Sequence, residues 1–161
     1  MQYNDSFKKG RMIKIMNSAT KKIRVAQIIF FLIQIFLTTF PYQYAVVDRK
    51  YESYTVLDML TFINQDEYAV KLVGFVSILF ILIPVIALGF QIFDRFYNLK
   101  NIAGIICSFV GVMLILTLDI SCIDWGAIFA ILLYLLTFFM SVMGVFARYL
   151  KVENVADKAP E

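Results

Sequence analysis

The chain has 161 residues, 61% of them hydrophobic, with a formal net charge of +3 and a mean hydropathy of +0.77. An ordinary soluble domain is about 45–50% apolar, and a chain this short cannot enclose so much apolar side chain in one water-facing core; a polytopic membrane protein is therefore expected. There is no histidine, which removes the commonest general base, metal ligand and neutral-pH switch, and the two cysteines, Cys107 and Cys122, are too few for a disulfide framework.

Residues 1–22 set Lys8, Lys9, Arg11, Lys14, Lys21 and Lys22 against a single acid, Asp5. Met12, Ile13, Met16 and Ala19 recur among these cations at helical spacing, as in an interfacial helix that buries one face while its lysines reach anionic headgroups. A plain solvated flank that sets orientation is the simpler alternative. The segment lacks the apolar core and cleavage site of a signal peptide, so the first apolar run is expected to stay as a signal anchor. It also lacks the interleaved aromatics of a nucleic-acid surface, and lipid is the expected partner.

The first crossing is predicted over 23–44, IRVAQIIFFLIQIFLTTFPYQY, with Pro41, Tyr42 and Tyr44 marking its far boundary. The loop 45–69 is the largest segment between apolar runs. Within it Thr55 and Asp58 form a capping-box pattern, and Val56, Met59, Leu60 and Ile63 share one helical face. A short amphipathic helix over the mouth of the bundle is expected, resting on lipid or closing a cavity.

The second crossing spans 70–93 and contains Pro84, which removes one backbone hydrogen bond and should kink the helix, with Ser77 or a neighbouring helix placed to satisfy the freed carbonyl. The connection 94–100 leads into a third crossing over 101–120, and a short polar link leads into a fourth over 125–147, opened by Trp125. Residues 149–161 read as a polar, disordered cytoplasmic tail. The predicted fold is thus all-α: an integral membrane four-helix bundle with an amphipathic helix in its first outer loop and a basic interfacial N-terminal segment.

Arg49, Lys50 and Lys71 are the exceptions among fifteen basic residues; the others flank the N-terminal segment, the 94–100 connection and the C-terminal tail. The positive-inside rule places both termini in the cytoplasm and the 45–69 loop outside a cell membrane. Asp58, Asp66, Glu67, Asp119 and Asp124 then form an acidic outer rim, together with Asp48 and Glu52. Such a rim concentrates cations or attracts a basic partner, unless the acids are simply what remains once cations are held inside.

No ionisable residue falls near the centre of a crossing, which argues against a proton- or sodium-coupled transporter. Gln34, Ser77 and Ser108 are the candidate interhelical polar contacts. Gly104, Ser108 and Gly111, then Gly126 with Ala130 and Ser141 with Gly144, form small-residue seams that permit close backbone approach, within one chain or between subunits. Cys107 and Cys122 are separated along the third crossing and its exit, so no disulfide between them is expected. Cys122 with Asp119 and Asp124 offers too few ligands for a metal shell, and no phosphate loop, nucleophile elbow or zinc-protease motif is present.

Four helices with a larger first outer loop and a small second one form a layout similar to tetraspan and claudin-like proteins. The tryptophan and paired-cysteine signature of a claudin loop is missing from 45–69, so the resemblance is one of topology and transfers no residue roles. The expected function is that of a non-enzymatic multi-pass protein without cofactor or metal, acting through partners as a homo-oligomer or as a small subunit of a membrane complex. An oligomeric channel with an acidic vestibule, and a membrane enzyme using the outer carboxylates, are the alternatives.

Overall fold

The computed structural model describes residues 21–47, 50–93, 99–118 and 120–156. The expected interfacial segment with Lys8, Lys9, Arg11 and Lys14, the connection 94–98, and Asp119 lie outside the described residues, as does the end of the tail. Of the described residues 82% are helical.

Helix α1 covers residues 21–37. Its predicted extension to residue 44 is corrected: backbone N–H groups of Thr38, Thr39 and Phe40 bond three residues back, and the hydroxyls of Thr38 and Thr39 donate to the carbonyls of Ile35 and Phe36 at 2.7 and 2.8 Å. Threonine side chains thereby take over the last carbonyls of the helix, and Pro41 disfavours helical geometry at the residue before it.

The expected all-α outer loop is corrected too. Strand β1 (Pro41–Val47) pairs antiparallel with β2 (Lys50–Thr55), from Val47 opposite Lys50 to Pro41 opposite Thr55, with an irregularity between Pro41 and Gln43. Aromatic and β-branched residues in YQYAVV and KYESYT suit a pleated ribbon, and the two residues between Val47 and Lys50 match the commonest hairpin length.

Helix α2 (Val56–Leu60) follows directly, and a 3-10 turn (Thr61–Asn64) continues it. The capping box is formed in both directions: the Asp58 N–H donates to the Thr55 hydroxyl at 3.1 Å, and the Asp58 carboxylate accepts from the Thr55 N–H at 2.9 Å. Ile63 thus belongs to the 3-10 turn rather than to α2. Val56 and Met59 are fully buried in the protein's apolar core, so this face does not rest on lipid.

Three helices among the described residues are long and apolar enough to cross a membrane. These are α3 (Tyr68–Phe93), α4 (Leu99–Leu116) and the Trp125–Ala147 portion of α5 (Trp125–Ala156). Helices satisfy their own backbone groups where no water can, and 18 residues at 1.5 Å each extend about 27 Å, close to the hydrocarbon thickness. Helix α5 continues through the first part of the expected tail, where Lys151, Glu153 and Ala156 are good helix formers. The chain is accordingly read as a membrane protein.

Helices α1 and α4 run toward the sheet, and α3 and α5 run away from it. The interior therefore has a sheet end and an opposite end. One apolar cluster fills the sheet end, where Leu37, Tyr42, Val56, Met59, Phe80, Ile115, Leu118 and Ala127 meet. A side chain at Gly74 would come within 2.6 Å of the Ile63 nitrogen, so only glycine lets the 3-10 turn lie this close to α3.

Candidate functional site

The hairpin is fastened to the second loop, which folds as a 3-10 turn (Ile120–Cys122) followed by Ile123 and Asp124. Gln43 forms an isolated antiparallel bridge with Ile123, the Asp124 N–H donates to the Tyr42 carbonyl at 3.0 Å, and the Tyr44 hydroxyl donates to the Ser121 carbonyl. The Ser53 hydroxyl donates to one carboxylate oxygen of Asp124 at 2.9 Å, and the Trp125 N–H donates to the other at 2.7 Å. Two loops distant in sequence form one platform. The Val56 N–H, donating to the Thr38 carbonyl at 3.2 Å, joins that platform to the end of α1.

This arrangement assigns structural work to the expected acidic rim. Asp124 caps the start of α5, where the N–H groups of Ala127 and Ile128 also bond its carbonyl. Asp58 caps α2, and the N–H and hydroxyl of Thr55 hold its carboxyl below the usual aspartate range. Asp66 and Glu67 are exposed in the bend before α3, with the Glu67 carbonyl accepting from the Lys71 N–H at 3.0 Å. Glu52, absent from the core of the expected rim, accepts from the Tyr54 hydroxyl at 2.8 Å, and that bond raises the Tyr54 phenol above its ordinary value. An open cleft of about 540 Å³ lies between β2 and the helical turns, lined by Glu52, Ser53, Tyr54, Asp58, Thr61 and Phe62.

The small-residue positions separate into distinct contacts. A side chain at Gly104 would strike the Ser141 hydroxyl, one at Gly111 would strike the Tyr134 ring, and one at Gly144 would come within 2.8 Å of the Asn101 amide. These glycines are therefore spent within the chain, between α4 and α5. Gly126 is different: it presses on the Pro41 carbonyl and the Phe40 side chain, not on a helix, while its neighbour Ala130 lies in the apolar cluster.

The expected interhelical polar contacts are corrected. Ser77 donates to the Val73 carbonyl of its own helix at 2.8 Å, not to a carbonyl freed by the buried Pro84, and α3 runs uninterrupted past that proline. Among the described residues neither amide atom of Gln34 nor the Ser108 hydroxyl has a hydrogen-bond partner, although both side chains are almost completely buried. An orphaned buried polar group costs about 1–3 kcal/mol.

Different residues tie the helices together. The Arg24 guanidinium donates to the carbonyls of Gln91 and Ile92 at 2.8 and 2.9 Å, capping the end of α3 with a cation where the helix dipole is negative. The Gln91 amide donates to the Lys100 carbonyl at 3.2 Å, and the Gln27 amide donates to the Ser141 hydroxyl at 2.7 Å. By sequence Arg24 is one of the cations gathered on the inner side, and Gln27 and Gln91 stand apart from the expected polar contacts. Their signal is periodic: Gln27 stands one heptad before Gln34, on the same face of α1.

Lys21 and Lys22 open α1 and border a groove of about 410 Å³ lined by Val25, Ala26 and Ile29. Cys107 and Cys122 are free thiols.

Comparisons with protein-family models, curated proteins and solved structures return no match.

Proposed function

We propose that this is a non-enzymatic, multi-pass protein of the cell membrane with α1 as its fourth crossing, both termini cytoplasmic and the sheet end outside, acting through a protein partner at the platform. The orientation rests on the distribution of Lys and Arg between the two ends. The observation that carries the functional reading is the hairpin bonded to the second loop. Strand β1 is covered by β2 on one side and bridged to Ile123 on the other, while the far edge of β2 pairs with no strand among the described residues. An edge with unpaired backbone groups is a template for another chain, and Tyr51 on that strand is 78% exposed. The partner is a second copy of this chain or a larger subunit. Because Gly104, Gly111 and Gly144 are used internally, the platform rather than those seams carries the association. At the inner surface Lys21 and Lys22 meet anionic headgroups.

Two alternatives are weaker. A channel made of several copies needs polar helix faces toward a shared axis, yet the exposed faces of α3, α4 and α5 carry residues such as Leu79, Phe109, Leu132 and Phe139. An enzyme using the outer carboxylates needs them free and convergent, whereas Asp58 and Asp124 are engaged as caps. A photo-crosslinking residue at Tyr51, with Phe139 on the lipid-facing surface as control, tests the proposal in intact membranes. A discrete protein adduct from position 51 and none from position 139 is expected; no adduct from position 51 overturns it.

A further inference from the structure

The buried polar atoms left over at the end opposite the sheet point to bound water. Along α1, Gln27, Phe31 and Gln34 follow one another on the buried face at helical spacing, and all are at most 1% exposed. The Gln27 amide nitrogen is bonded to Ser141, but its oxygen has no partner among the described residues; nor do the Gln91 amide oxygen, the Ser108 hydroxyl or either amide atom of Gln34. Gln27 and Gln34 lie two turns apart, about 10 Å by the helical rise, so one small ligand cannot satisfy both. Four of these five atoms are oxygens, and Arg24 sits beside Gln91. A guanidinium at that point repels a cation. Water, which donates to oxygens and also accepts from the Gln34 N–H, matches the whole set, since a buried water takes about three partners of mixed kind.

Phe31 adds a second observation. It is fully buried yet stands outside the apolar cluster that contains Phe80 and the other buried side chains of the sheet end. We propose that the half of the interior away from the sheet holds a file of ordered water molecules from the level of Gln27 and Gln91 to Gln34, and that the apolar cluster beneath the platform ends it. The interior is then wet on one side of Gln34 and dry on the other.

Radiolytic hydroxyl labelling of the full chain in lipid nanodiscs, read by mass spectrometry, tests this directly, because radicals born from bound water oxidise side chains that bulk solvent does not reach. Phe31 and Phe80 form a pair matched in chemistry and burial, at 0% and 2% exposure, and the lipid-facing Phe139 is a second dry control. Phe31 is expected to be labelled severalfold faster than both, and Gln34→Leu is expected to remove that excess while the helical circular dichroism persists. Equal protection of Phe31 and Phe80 overturns the proposal, as does labelling that survives in a folded Gln34→Leu chain. Should that variant fail to fold, the wild-type ratio decides alone.

Discussion

The two ends of the helical interior are held by different physics. At the sheet end, apolar side chains gather in one cluster: Val56 and Met59 from α2 join Phe80, Ile115 and Leu118. At the opposite end, Gln27, Gln91, Ser108 and Ser141 occupy the same kind of buried position, and hydrogen bonds link helix to helix. In a membrane, lipid is as apolar as leucine, so association depends on close packing and on polar bonds rather than on escape from water. The sheet end uses the first and the opposite end the second. The glycines show the same division. Gly74 and Gly126 press against backbone atoms of Ile63 and Pro41, whereas Gly104 and Gly144 press against the polar side chains of Ser141 and Asn101.

The largest test of this division is Met59→Ala. Met59 is fully buried under the platform, and truncation of such a side chain costs about 2–5 kcal/mol through lost contacts and the cavity left behind. Thermal unfolding in mild detergent, followed by circular dichroism, should show a clearly lowered midpoint. Next comes Gly74→Ala, whose new methyl meets backbone of the 3-10 turn; overpacking of this kind costs about 1–3 kcal/mol. Gly89→Ala is the matched control, since beyond the adjacent backbone of its own helix nothing lies within 4 Å of the methyl it would gain, and its midpoint should move little.

At the opposite end the expected effects are smaller and coupled. Gly104→Ala displaces the Ser141 hydroxyl from the Gln27 amide, a loss of about 1 kcal/mol or somewhat more for a buried hydrogen bond. In a Ser141→Ala background that bond is already gone, so the second substitution should cost less than it does alone. A double-mutant cycle on unfolding midpoints reads the difference, and strict additivity would break the assignment of this glycine to the polar contact.

The mildest test concerns the platform. Thr55→Ala removes the α2 cap and should cost about 1 kcal/mol, seen as faster amide exchange over Val56–Leu60 with the spanning helices unaffected. The same cap responds to acid. The Asp58 carboxyl is depressed by its bonds from Thr55, so its stabilising contribution is complete above the ordinary aspartate range and is lost as pH falls through the lower folded value. Asp58→Asn should flatten that acid response, and an unchanged pH profile would remove Asp58 from the role.

Much of the architecture was legible in the amino-acid pattern. Apolar runs bounded by charge marked the three helices long and apolar enough to cross a membrane, and Thr55 with Asp58 marked the start of α2, because these signals act over a few neighbouring residues. The hairpin was legible in principle from the alternation in YQYAVV and KYESYT, but the apolar and aromatic content of that stretch reads equally as the end of a crossing. The roles of Asp124 and Gln27 were not legible. Each depends on a partner far along the chain, Ser53 and Tyr42 for one and Ser141 for the other.

By itself, then, the sequence determined what periodicity and charge can carry: apolar helices, the side on which cations gather and the local caps. Tertiary structure alone decided which glycines meet backbone and which meet polar groups, that the two loops join into one platform, and that amides crowd one end of the interior while aromatics and aliphatics crowd the other. The reason is physical. Helix formation is set by bonds within a few residues, whereas the partner of a buried amide or glycine is chosen by how helices distant in sequence come to lie side by side.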